Sequence, residues 1–86
     1  MIEVKKFSAV WCGPCRMLAQ IMPQVQSQVD GVRFNNIDVD EYQDIAQKYG
    51  VRSVPTVVIE KDGQEVQRIV GAQPAQTYID VINKLR

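Results

Sequence analysis

Two cysteines three positions apart, in Trp11-Cys12-Gly13-Pro14-Cys15, are the residues of this chain best equipped for chemistry. A thiolate is a strong nucleophile toward sulfur, and two thiols one helical turn apart can exchange their own disulfide with an incoming one. Strand-forming residues precede the pair and an amphipathic helical pattern follows it, so both sulfurs can face each other at a strand-to-helix junction. There, unpaired backbone N–H groups and the positive end of the helix dipole favour thiolate at the first cysteine. Cys12 is the expected nucleophile and Cys15 the resolving thiol. Lowering a thiol pKa from about 8.5 to about 7 raises its thiolate fraction at neutral pH roughly fifteenfold, but costs about fivefold in intrinsic nucleophilicity. Most of the rate must then come from position: Cys15, held close by the turn that Pro14 fixes, makes release of the mixed disulfide intramolecular.

The rest of the composition narrows the alternatives. The chain has no histidine, which removes Cys-His and Ser-His-Asp hydrolases, two-His metal sites and imidazole acid-base chemistry. Two cysteines are half of a structural zinc site, so zinc or an iron-sulfur cluster would require a dimer; no metal and no bound cofactor are expected. Ten basic residues balance ten acidic ones, leaving no net field to gather nucleic acid or an anionic membrane. No apolar run approaches the roughly 20 residues of a spanning helix, and no charged and apolar leader follows Met1. The expected location is the cytoplasm, and the expected state a monomer. At 86 residues, 45% hydrophobic and 23% charged, residues 1–86 should form one folded domain.

The elements that must position the dithiol follow from periodicity and breakers. Residues 2–10, rich in β-branched and aromatic side chains, predict a strand ending near Ala9. Leu18, Ile21, Met22, Val25 and Val29 recur at helical spacing, predicting a helix from about Cys12 to before Asp30-Gly31, bent near Pro23. Met17 and Met22 are read as packing residues of that helix. Residues 32–39 predict a strand that reaches the first by a right-handed parallel crossover. Residues 40–49 predict a short helix with Asp40 as N-cap, Gly50 as its stop, and Ile45 and Tyr49 on its inner face. Residues 54–60 and 65–70 predict two antiparallel strands joined through Asp62-Gly63. Tyr78, Ile79, Ile82 and Leu85 predict a closing helix that starts near Gln73 or Pro74. The predicted order is β-α-β-α-β-β-α, an α/β fold with a four-stranded mixed sheet and three helices.

The residues WCGPC, Pro55 in VPT and Gly71 in VGA together resemble the thioredoxin family over nearly the whole chain. The resemblance implies a minimal thioredoxin-like fold, with a cis Val54-Pro55 bond opposite the dithiol. It also implies a shallow, mostly apolar substrate surface formed by Trp11, Gly13, Pro14, Val54, Pro55, Gly71 and Ala72, with Gly71 permitting close backbone approach. The implied activity is reduction of protein disulfides, with disulfide-containing client proteins and a thioredoxin-reductase-like flavoenzyme as partners. A glutathione-linked glutaredoxin and a non-catalytic interaction module on the same fold are the alternatives. Two departures stand out. The family's extra leading strand and helix are missing before the first strand, as in its compact, glutaredoxin-like members. The usual buried aspartate, five residues before the motif tryptophan, is Lys6, and Phe34 takes the place of the lysine paired with that acid. Lys6 is expected to carry its amine out to solvent, the alternative being that it draws thiolate charge. The proton of Cys15 is then expected to pass to water or to another thiolate.

Overall fold

The computed structural model describes residues 1–86. In chain order it contains β1 (Ile2–Ser8), α1 (Gly13–Gln28), β2 (Val32–Asp38), α2 (Gln43–Lys48), β3 (Thr56–Lys61), β4 (Gln64–Val70) and α3 (Ala75–Leu85). The β-α-β-α-β-β-α order agrees with the sequence reading. One mixed sheet runs β2-β1-β3-β4, with β1 and β2 parallel and β3 antiparallel to both β1 and β4. The β1-α1-β2 unit is thus the parallel crossover, and β1 and β3 occupy the centre.

Alternation along the central strands loads both faces of the sheet. Ile2 and Val4 of β1, with Val57 and Ile59 of β3, meet Leu18, Met22 and Val25 of α1 and Tyr78, Ile79 and Ile82 of α3 in the main core. Phe7 and Val58 point the other way, to Ile37 of β2, with Ile45 and Tyr49 of α2 packed alongside. A strand whose residues are needed on both faces reads as a nearly continuous apolar run, which is why β3 is buried from Thr56 to Glu60.

Several boundaries differ from expectation for identifiable reasons. Asp40 does not cap α2: Tyr42 holds the N-cap position without a side-chain bond. Asp38 Oδ1 instead accepts from the N–H groups of Asp40 (2.8 Å) and Glu41 (3.2 Å), forming a turn that delays the helix by three residues. Met22 is buried as expected, but Met17 is 61% exposed and packs no core. The helix α1 runs on through Pro23. The β3-β4 hairpin turns through Asp62 (φ 54°) and Gly63 (φ 85°), two successive left-handed residues that match the twist of the flanking strands.

Candidate active site

The strand β1 ends at Ser8, and Ala9 to Trp11 carry the chain onto α1. The Ala9 carbonyl accepts from Cys12 N (3.2 Å) and the Val10 carbonyl from Arg16 Nη2 (3.1 Å), so this short passage is tied down at both ends. Cys12 is the N-cap of α1, in extended conformation, and Pro14 occupies the first turn, where the helix needs no donor from it. Cys12 and Cys15 are joined as a disulfide across that turn, with Cα atoms 5.2 Å apart. The Sγ of Cys12 accepts a hydrogen bond from Cys15 N (3.1 Å), as a serine or aspartate cap would. Negative charge on this sulfur therefore meets a backbone donor and the positive end of a 16-residue helix. Both cysteines are only 4% exposed, while Trp11, beside them, is 65% exposed and Gly13 and Pro14 are also open to solvent.

Across from the dithiol, the Val54-Pro55 peptide bond is cis. The strand expected from Val54 begins instead at Thr56, which leaves Val54 and Pro55 outside the ladder. The Val54 carbonyl oxygen lies 3.6 Å from Cys12 Sγ. Behind it, the Pro55 carbonyl accepts from Gly71 N (2.8 Å), which locks the turn after β4 to the loop before β3. Gly71 has φ 87°, and a β-carbon there would touch nothing within 4 Å. The close approach expected of it is thus a backbone contact; left-handed geometry, not crowding, calls for glycine. Ala72 follows it, half-buried against the main core. The structure thus sets Val54 against the Cys12 sulfur, with Trp11, Gly13 and Pro14 flanking that cysteine in the chain and Gly71 bonded to Pro55.

Two contributors escaped the sequence reading. The Trp11 Nε1 donates to Asp40 Oδ2 (2.8 Å), so the carboxylate expected to cap α2 steadies the exposed indole instead. Tyr78 Oη accepts from Gln73 N (3.1 Å) and donates to the Gly71 carbonyl (3.3 Å), pinning the Gly71 loop onto α3. A buried tyrosine must place its hydroxyl somewhere, and that rule was the available signal. No cluster of three or more His, Cys, Asp or Glu side chains converges in the structure.

Lys6 buries its stem and keeps its amine at the solvent edge, as expected. It is 7% exposed and stands on the core face of β1, in line with Ile2 and Val4, between Asn36 of β2 and Val57 of β3. No carboxylate forms a salt bridge with it, and burial holds its amine below the usual lysine pKa. Its Nζ has no hydrogen-bond partner within the protein yet is not fully enclosed, so the amine reaches solvent at its tip. It borders a cavity of about 170 Å³ whose wall also includes Cys15, Arg16 and Asp38.

A mixed four-stranded sheet with a redox dithiol at the head of its first helix, faced by a cis proline, defines the class of thiol-disulfide oxidoreductases. Comparison with known proteins narrows this. The Thioredoxin family model matches residues 2–84. Thioredoxin of Bacillus subtilis is 42% identical over 84 residues, covering 96% of this chain and 81% of that protein. Thioredoxin-2 of Saccharomyces cerevisiae is 47% identical over 74 residues, covering 86% and 71%. Among solved structures, a mutant thioredoxin from Halobacterium salinarum superposes with a TM-score of 0.91 at 41% identity, covering 96% of this chain and 73% of that one. Thioredoxin of Nicotiana alata gives 0.92 at 40% identity, covering 99% and 73%. The chain belongs to the thioredoxin family. It is a thiol-disulfide oxidoreductase that reduces protein disulfides, and neither the glutaredoxin reading nor the non-catalytic module is favoured.

Proposed function

We propose that Cys12 makes the first attack on a client disulfide and that Cys15 resolves the mixed disulfide. The observation that carries this assignment is the hydrogen bond from Cys15 N to Cys12 Sγ at the N-terminus of α1. It supports charge on Cys12 and leaves Cys15 one turn inside the helix. Cys12 Sγ⁻ bonds to one client sulfur and expels the other as thiolate, which takes a proton from solvent. Cys15 then loses its proton, its sulfur attacks Cys12 Sγ, and the client–Cys12 bond breaks. Two electrons pass to the client, which leaves as a dithiol, and the Cys12–Cys15 disulfide remains.

The surface that receives the client consists of Trp11, Gly13, Pro14, Val54, Pro55, Gly71 and Ala72. Its exposed indole and apolar edge suit an extended segment flanking the disulfide. Regeneration calls for a dithiol donor, and a thioredoxin-reductase-like flavoenzyme is the partner of choice. Residues 1–86 act as one monomeric domain in the cytoplasm, without nucleic acid or membrane. The continuous sheet and the balanced charge support that reading. No helix is long and apolar enough to cross a membrane.

The test is NADPH-coupled reduction of a protein disulfide, run with thioredoxin reductase and, in parallel, with glutathione and its reductase. Turnover with the flavoenzyme is expected. Cys12→Ser should abolish it, whereas Cys15→Ser should accumulate a covalent client adduct visible on a non-reducing gel. An adduct formed by Cys12→Ser and not by Cys15→Ser would reverse the two roles.

A further inference from the structure

We propose that Met17 is a specificity-determining residue for the reduction of protein disulfides: it extends the client surface along the exposed face of α1 and takes an uncharged, apolar side chain of the client segment that flanks the disulfide. The inference deepens the reading of Trp11, Gly13 and Pro14 as part of that surface and rests on it.

Two methionines lie in the middle of α1, but Met22 is 6% exposed in the main core whereas Met17 is 61% exposed. A lone exposed methionine would need no explanation; this one continues an open patch of Trp11, Gly13 and Pro14 beside the dithiol. Met17 stands three and four positions after Pro14 and Gly13, so the three share one face of the helix. Helical side chains lean toward the N-terminus, which carries the thioether over the first turn and toward the Cys12 end. Space is open there: a β-carbon on Gly13 would touch nothing within 4 Å. Arg16, the neighbour long enough to cover Met17, is drawn away to the Val10 carbonyl.

The charge pattern of the helix favours the same occupant. Arg16 is the only charged residue in the 16 of α1, and the exposed residues that follow Met17 on its face are Gln20 and Gln24. A client can therefore cover this ridge without stripping water from an ion, as the centre of a protein interface requires. A charged client side chain finds no counter-ion here, whereas an apolar one finds Met17. The unbranched thioether adapts to side chains of different shape, which suits a reductase that meets many disulfides. A chain that places a disulfide sulfur on Cys12 comes within about 8 Å of Met17 along the helix axis, five residues at about 1.5 Å each. About two residues of extended client span that distance. The contact thus falls on the second residue from the client cysteine.

The experiment measures single-turnover oxidation of the reduced protein by disulfide-linked peptide dimers that carry Leu or Glu two residues to either side of the cysteine. The oxidised fraction is read by acid quench, alkylation and mass spectrometry. Each rate is referenced to that with hydroxyethyl disulfide, which is too short to reach Met17, so a change in the dithiol itself cancels. The parent should prefer the Leu peptide by about fivefold, as partial burial of one apolar side chain allows. Met17→Leu should keep that preference, Met17→Gln should reduce it to about twofold or less, and Met17→Lys should turn it toward the Glu peptide. A preference that stays within twofold of the parent's in both Met17→Gln and Met17→Lys would overturn the proposal, as would a parent that does not distinguish the peptides. A parent that reacts with hydroxyethyl disulfide but with neither peptide would count against the client surface itself, and one that reacts with none of the three against the dithiol assignment.

Discussion

At the scale of single residues, the site depends on a few side chains that the motif alone does not include. The indole of Trp11 is the largest exposed group beside the dithiol, and its only polar anchor is Asp40. An exposed hydrogen bond to a carboxylate contributes little to folding, about 0.5–1.5 kcal/mol, but it restricts the indole to one orientation. Asp40→Ala should therefore leave urea unfolding within about 1 kcal/mol of the parent while lowering turnover of a protein disulfide a few fold, mainly through KM. Unchanged KM would mean that the indole needs no tether. The dithiol itself was legible from residue types, because CxxC at a strand-helix junction has few uses in a chain without histidine. Asp40 was legible as a polar residue near a helix start, but the partner of its side chain was not, since Trp11 lies 29 residues away. Lys6 was legible as a departure from the family pattern, and so was the route of its amine to solvent.

At the scale of elements, two junctions hold the site in register. The first links β4 to the loop before β3 through Gly71 N and the Pro55 carbonyl, with Tyr78 Oη holding Gly71 from α3. A side chain at φ 87° costs about 1–2 kcal/mol even where there is room for it. Gly71→Ala should lower unfolding free energy by that amount and raise KM for a protein disulfide several fold, since both loops border the proposed client surface. The second junction lies on the opposite face of the sheet. Lys5 of β1 donates to Glu60 Oε1 of β3, and Tyr49 Oη donates to Glu60 Oε2 (2.6 Å) from the end of α2, with Lys5 Nζ 5.5 Å from the Tyr49 ring centroid. Burial alone would raise the Glu60 carboxyl pKa, but the bonds from Lys5 and Tyr49 outweigh it and hold the group below its ordinary 4.5. Burial likewise pulls Lys5 down, yet its bond to Glu60 and the neighbouring charges push it up to about 12. The Glu60 contribution is thus complete above pH 4.5 and lost as pH falls through the depressed value; that of Lys5 is complete below 10.5 and lost on passing about 12. Glu60→Gln should cost about 2 kcal/mol at pH 7, less than the roughly 3–5 of a fully buried pair, because solvent still reaches this one. It should also flatten the decline in urea stability below pH 4.5. The strands and hairpin were readable from alternation and Asp-Gly, but this triad was not: Lys5 and Glu60 are charged residues on strands, and only the β1-β3 register brings them together.

At the scale of the whole molecule, the two sheet faces do different work. The face under α1 and α3 holds the larger core and supports the dithiol from below, while the other is closed by α2 and the Lys5-Glu60-Tyr49 network. The order of elements could be read from the sequence because each segment has a clear period and clear breakers. The sheet order β2-β1-β3-β4 needed the long-range pairings, which no local pattern encodes. The bridge between Cys12 and Cys15 spans a sequence separation of only three residues. A ring that small removes little freedom from the unfolded chain, about 2 kcal/mol by loop-closure entropy, against nearly 5 for a hundred-residue loop. None of the long-range pairings of the sheet depends on it. The covalent link can therefore be made and broken at each turnover while the scaffold persists, and the chain's working bond is not the one that holds it together.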